Sequence, residues 1–137
     1  MRATRKARAV TALATLVLTG AVAGPAAAST GALLPHPGPE GLVWVGERVG
    51  DGGVASGGAW EGLPTVLTVA CEGGDVRVVM ESQGTEVAAF TVACPAGTAG
   101  VGSVAMDAGV VRSGSFFVSV DASTETVRWA LTVTQPE

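Results

Sequence analysis

The chain has no Asn, no Ile and no Tyr, one Lys, one His and two Cys among 137 residues. Each shortage excludes something. Without Asn there is no acceptor for an N-linked glycan. The one lysine, Lys6, lies near the start, so from residue 29 onward four arginines stand against twelve acids, a net charge of −8 over 109 residues. A surface of that sign argues against non-specific binding to nucleic acid or to anionic lipid, both of which need clustered Lys or Arg. The only histidine, His36, falls between Pro35 and Pro37, where nothing in the sequence holds an imidazole in place for a Ser-His-Asp triad. Two cysteines and one histidine fall short of a structural zinc site. No EF-hand spacing and no phosphate-binding glycine loop followed by a helix is present. With these absences, neither an enzyme nor a cofactor is expected.

What is there begins with an export signal. Residues 1–28 have a basic start (Arg2, Arg5, Lys6, Arg8), an uncharged apolar stretch over 9–22, a Gly24-Pro25 break and the small run Ala26-Ala27-Ala28. This is the three-part build of a secretory signal peptide, with an apolar stretch shorter than the roughly 20 residues of a membrane span. Cleavage is expected before Ser29, or alternatively after Ala23, and the mature protein is expected to be secreted and free of the membrane. Residues 29–40 hold three prolines and two glycines and read as an extended tether. The excess of Ala, Gly and Val, with Asn, Ile, Tyr and Lys nearly absent, follows GC-rich codon usage and points to a GC-rich bacterial source.

From residue 41 to 137 the apolar period is two. Strands are expected over 42–49, 65–71, 76–82, 85–94, 101–106, 115–121 and 124–134, with 50–64 a long loop or an irregular edge strand. Glu72-Gly73-Gly74-Asp75 and Gln83-Gly84 carry hairpin turn chemistry. In the last strand Val127, Trp129, Leu131 and Val133 alternate with Arg128, Ala130, Thr132 and Thr134, the pattern of an antiparallel sheet with one wet side. About seven such strands without a helical period predict an all-β, antiparallel two-sheet β-sandwich, immunoglobulin-like or jelly-roll-like.

Cys71 and Cys94 are expected to form a disulfide, as cysteines in an exported chain do. The bond constrains topology. In a flat meander the strands 65–71 and 85–94 would lie about 9.6 Å apart, twice the strand spacing, whereas bridged Cα atoms sit within about 7 Å. Strand 85–94 must therefore face strand 65–71 across the core from the other sheet.

Candidate contact residues are few. Asp51, Glu72, Asp75 and Asp107 lie in Gly-containing turns, where acids serve the backbone. Trp129 is in phase with the core. Trp44 alternates ambiguously, and Trp60 lies in the glycine-rich stretch 56–62, so these two are the candidate ligand contacts. Either could stack on a sugar ring or anchor in a partner's pocket, although Trp60 reads first as a lid on an open sandwich edge. A secreted binding or structural module follows, its partner an extracellular protein or glycan. A carbohydrate- or wall-binding module and a hydrolase inhibitor using the loop 95–100 are the alternatives.

The stretches LTVACEGGDVRVVME (67–81) and FTVACPAGTAG (90–100) resemble small exported, disulfide-bridged β-sandwich proteins of GC-rich Gram-positive bacteria. That resemblance implies secretion and a bridged sandwich and carries no activity with it. Residues 114–133 also resemble the final hairpin of jelly-roll modules appended to secreted peptidases. No Trp falls between Cys71 and Cys94, so the immunoglobulin pattern is poorly matched.

Overall fold

The computed structural model describes residues 32–137, of which Leu33–Glu137 form one compact unit. The expected signal peptide and residues 29–31 of the tether lie outside the described residues. Among the described residues there are eight strands: β1 (Gly41–Val49), β2 (Gly52–Ala59), β3 (Thr65–Glu72), β4 (Val76–Ser82), β5 (Thr85–Val92), β6 (Gly100–Met106), β7 (Gly114–Ala122) and β8 (Arg128–Thr134). They form two four-stranded antiparallel sheets, ordered β1-β8-β3-β6 (sheet I) and β2-β7-β4-β5 (sheet II).

The pairing has a simple rule. β1 pairs with β8, β2 with β7, β3 with β6 and β4 with β5. The chain is one long antiparallel ribbon, closed at Gln83-Gly84 and wound around a shared core, which is the eight-stranded jelly-roll arrangement. Only β4–β5 is a hairpin. Its central residues Gln83 and Gly84 have φ of 53° and 82°, the positive pair that a tight type I′ turn demands. Every other connection passes from one sheet to the other. Glu72–Asp75, whose composition suggests a hairpin, is therefore a crossover: the turn is tight, but β4 has no room beside β3, which already pairs with β6 and β8.

The eighth strand is β2, in the stretch expected to be a loop or irregular edge strand. Its sequence GGVASGGA offers little side chain to show a period, yet its backbone pairs with β7 from Gly52↔Val120 to Ala59↔Gly114, with an irregularity after Ser56. Pairing to β7, not burial of its own side chains, makes it a strand.

The core follows the alternation. Leu67, Val69 and Cys71 of β3 and Trp129, Leu131 and Val133 of β8 face Val76, Val78 and Met80 of β4 and Phe116, Val118 and Val120 of β7, all nearly or wholly excluded from solvent. Trp129 donates its indole N–H to the Gly50 carbonyl at 2.6 Å, so its one polar atom is satisfied inside the core. Cys71 on sheet I and Cys94 just beyond β5 of sheet II form the disulfide, with Cα atoms 5.7 Å apart. The bridge crosses the core as the strand-spacing argument requires.

The tether expectation needs correction for its described part. Leu34 is buried and packs, with Leu33 beside it, on Ala70 and Ala130 of the outer face of sheet I. That contact explains why Ala130, on the polar side of the β8 alternation, is fully buried. Two leucines outweigh the prolines around them, because burying apolar area stabilises by roughly 25 cal/mol per Å².

The bridge closes a loop of 23 residues, a constraint on the unfolded chain of about 3 kcal/mol. The double variant Cys71→Ala/Cys94→Ala is expected to lose about that much in urea unfolding, with a steeper slope because the unbridged unfolded chain exposes more surface. A loss below about 1 kcal/mol would show that strand pairing alone sets the topology.

Candidate functional site

The winding collects the β2–β3, β4–β5 and β6–β7 connections and the C-terminal end of β8 at one end of the sandwich. Trp60 stands there, immediately after β2, with 59% of its surface exposed. Its backbone is held on both sides. The Trp60 N–H donates to Oε1 of Gln135 at 3.0 Å, and Nε2 of Gln135 donates to the Trp60 carbonyl at 2.9 Å and to Oγ1 of Thr65 at 3.0 Å. Gln135 is itself buried, and its backbone N–H donates to the Glu40 carbonyl. Gln135 thus joins, through its backbone N–H, the chain entering β1 and, through its side-chain amide, the turn at Trp60 and the first residue of β3. The indole lies over Gly62, where a Cβ would come within 3.0 Å of the ring, so glycine is what lets the ring settle there.

The neighbouring loops are fastened to the same turn. The Glu61 N–H donates to Oγ of Ser113, and the Ser113 N–H donates back to Oε1 of Glu61 at 3.3 Å. Arg112 pairs through Nε with the same carboxylate oxygen, while its backbone N–H donates to Oγ of Ser82. Nε2 of Gln83 donates to the Ser113 carbonyl. The Ser113 backbone N–H, with Arg112 beside it, holds the Glu61 carboxyl below its ordinary range. The result is an exposed aromatic ring on a turn whose backbone is hydrogen-bonded at Trp60 and Glu61.

Trp44, the other candidate, sits elsewhere. It lies on the outer face of the edge strand β1, opposite Thr132, 45% exposed, with Val45 pointing inward against Leu131. His36 meets its ring edge-on at a centroid distance of 5.1 Å and accepts the Gly38 N–H at Nδ1. So the imidazole expected to be unheld is in fact docked; two prolines give a sequence reader no sign of a tryptophan eight residues on. The two candidate tryptophans occupy different elements, each with its own support. Sequence reasoning missed Phe117, which points outward from sheet II and is 44% exposed; strict alternation with Phe116 was the signal that marked its face.

Three of the four turn acids, Asp51, Asp75 and Glu72, bind neighbouring groups of the fold through their carboxylates. Oδ1 of Asp51 accepts the Ala122 N–H at 2.8 Å, and Oδ1 of Asp75 accepts the Cys94 N–H. Glu72 and Glu47 flank Arg128 across three strands of sheet I. The hydrogen bond from Arg128 holds the Glu47 carboxyl below its ordinary range. Among the described residues no three His, Cys, Asp or Glu side chains come together as metal ligands, and no helix is long and apolar enough to cross a membrane. The loop 95–99 is exposed throughout and turns on a hydrogen bond from the Thr98 N–H to the Pro95 carbonyl, directly after the disulfide.

No protein-family model, no curated protein and no solved structure matches this chain.

Two outcomes follow from this geometry. Replacing Gln135 by Leu strands the Trp60 N–H and carbonyl and the Thr65 hydroxyl, and is expected to cost about 1–3 kcal/mol in urea unfolding and to quicken amide exchange at Trp60. Glu47 has a lowered carboxyl in the folded state, so its stabilisation is complete above the ordinary carboxylate range and is lost as pH falls through the folded value. The gap in melting temperature between wild type and Arg128→Gln should therefore narrow on acidification; a gap independent of pH would show that the arginine acts through packing of its stem.

Proposed function

We propose that the chain is an exported, non-enzymatic binding module that engages an extracellular glycan or protein surface through the Trp60 end of the sandwich. The observation that carries this reading is the contrast at Trp60: a backbone fixed by a buried glutamine beneath a ring left mostly in water. A lid would be the reverse, a ring buried on a loose turn. Large aromatic groups that are already ordered lose little entropy on contact, so an exposed, fixed Trp is a favourable anchor for a sugar face or a partner's pocket. The surrounding Glu61, Arg112 and Ser113 bring charged and hydrogen-bonding groups to the same turn.

Export is supported by the basic-apolar-small pattern of residues 1–28 and by a formed disulfide, which persists in oxidising surroundings. The acidic surface supports a target other than nucleic acid or an anionic membrane.

The test is sedimentation of the oxidised protein with insoluble peptidoglycan, chitin and cellulose, with Trp60→Ala beside it and thermal unfolding of both. Pelleting lost in a variant that melts as wild type does is the expected result and identifies a glycan target. Failure to pellet with every polymer, at unchanged stability, moves the target to a protein. A Trp60→Ala variant destabilised like a core truncation, by about 3 kcal/mol or more, would sink the reading and make the ring a structural lid.

A further inference from the structure

At the same end of the sandwich as the Trp60 turn, the outer face of sheet II carries a shallow groove of about 210 Å³ where the β4–β5 turn meets the start of β7. Its floor is set by register. Ala55 of β2 pairs with Phe117 of β7, Phe117 with Glu81 of β4, and Glu81 with Glu86 of β5. Directly opposed residues on an antiparallel ladder share a face, so one row across the sheet reads methyl, aromatic ring, carboxylate, carboxylate. The Phe117 ring leans over Gly53, where a Cβ would come within 2.9 Å of Cζ. A side chain at 53 would lift the ring; glycine lets it lie across the sheet with its surface to solvent.

The carboxylates are placed against their own interest. Like charges directly opposite one another destabilise a sheet pair. Among the described residues the ion pairs are Arg112–Glu61, Arg128–Glu47 and Arg128–Glu72, and neither Glu81 nor Glu86 belongs to one. On the same face Arg77 stands opposite Asp121, four residues back along β4 and about 13 Å from Glu81 at the usual strand rise, beyond a Debye length at physiological salt. The whole sandwich adds to the field, with four arginines, no lysine and twelve acids.

We propose that this groove receives the cationic side chain of a lysine or arginine presented by a partner peptide, its stem against Phe117 and Ala55 and its charge beside Glu81. The chemistry is complementary in both parts. An aromatic ring attracts a cation by its quadrupole, and the unpaired carboxylate supplies the counter-charge. A long basic side chain has the matching build of an apolar stem under a charged head. An anionic or purely apolar ligand leaves Glu81 unanswered. The groove shares Gln83 with the loops fastened to the Trp60 turn, but cation recognition there rests on Phe117 and Glu81 and not on the reading of Trp60.

The experiment is a two-dimensional NMR titration of the oxidised protein with four blocked tripeptides: Gly-Lys-Gly, Gly-trimethyllysine-Gly, Gly-norleucine-Gly and Gly-Glu-Gly. The lysine and trimethyllysine peptides are expected to shift the amides of Ala55, Glu81, Ser115 and Phe117, and the other two to leave them in place. Glu81→Gln and Phe117→Leu, both at exposed positions, should each weaken the lysine peptide by roughly fivefold without unfolding the domain, and Glu81→Gln should melt at or above the wild-type temperature because it relieves the repulsion from Glu86. Should Phe117→Leu prove unstable, Glu81→Gln decides by itself. Equal shifts from norleucine, shifts that map elsewhere, no shifts at millimolar peptide, or the same amides moved by a neutral oligosaccharide instead would each overturn the proposal.

Discussion

Two sheets sharing one core must each give up one face to the other, and in this chain that demand is met by winding a single ribbon so that strand pairs lie 1 with 8, 2 with 7, 3 with 6 and 4 with 5. Much else follows from it. Six of the seven strand connections must pass from sheet to sheet, so the loops collect at the two ends of the sandwich. The inner faces are committed to Val, Leu, Met, Phe and Trp129, and the outer faces are left for other uses. The Cys71–Cys94 bridge ties the two layers across the core, which matters in a small domain where apolar burial alone leaves a thin margin over conformational entropy.

The exposed aromatic rings show what those other uses can be. A hydrophobic side chain in water is unremarkable when it stands alone on a mobile loop. Here each ring is supported from below: Trp60 over Gly62 on a turn clasped by Gln135, Trp44 against His36, and Phe117 over Gly53. Ordering of this kind is costly to no purpose if the rings merely fill space, since they bury little of themselves. It is what a surface needs if it is to meet a ligand without first having to organise. The polar groups around them differ: Glu61, Arg112 and Ser113 gather at the Trp60 turn, while Glu81 stands beside Phe117.

How much of this was legible in the linear chain depends on how local its cause is. The period of two in residues 127–133 marks Trp129 as core because each neighbour on that strand repeats the message. The crossing of the disulfide between sheets is legible too, because strand spacing and bond length leave no flat alternative. β2 was hard to read because glycine and alanine carry almost no hydrophobic signal; its partner β7 supplies the order. The same limit hid the docking of Leu33, Leu34 and His36, whose partners Ala70, Ala130 and Trp44 have no local sign that they want a cover. Trp44 shows the limit within one strand: irregularities in the β1–β8 register break its alternation, so phase alone could not choose its face.

The division is therefore physical. Sequence by itself determined the fold class, the pairing of the cysteines, the core faces of β7 and β8, and the acidic, lysine-free surface, since each depends on side-chain identity at fixed spacing along one strand. Tertiary structure decided which turns cross between sheets, that Trp60 is held while exposed, and that Phe117, Glu81 and Glu86 form one row. Those facts depend on which strand lies beside which, and a strand's neighbours are set by the packing of the whole ribbon around its core.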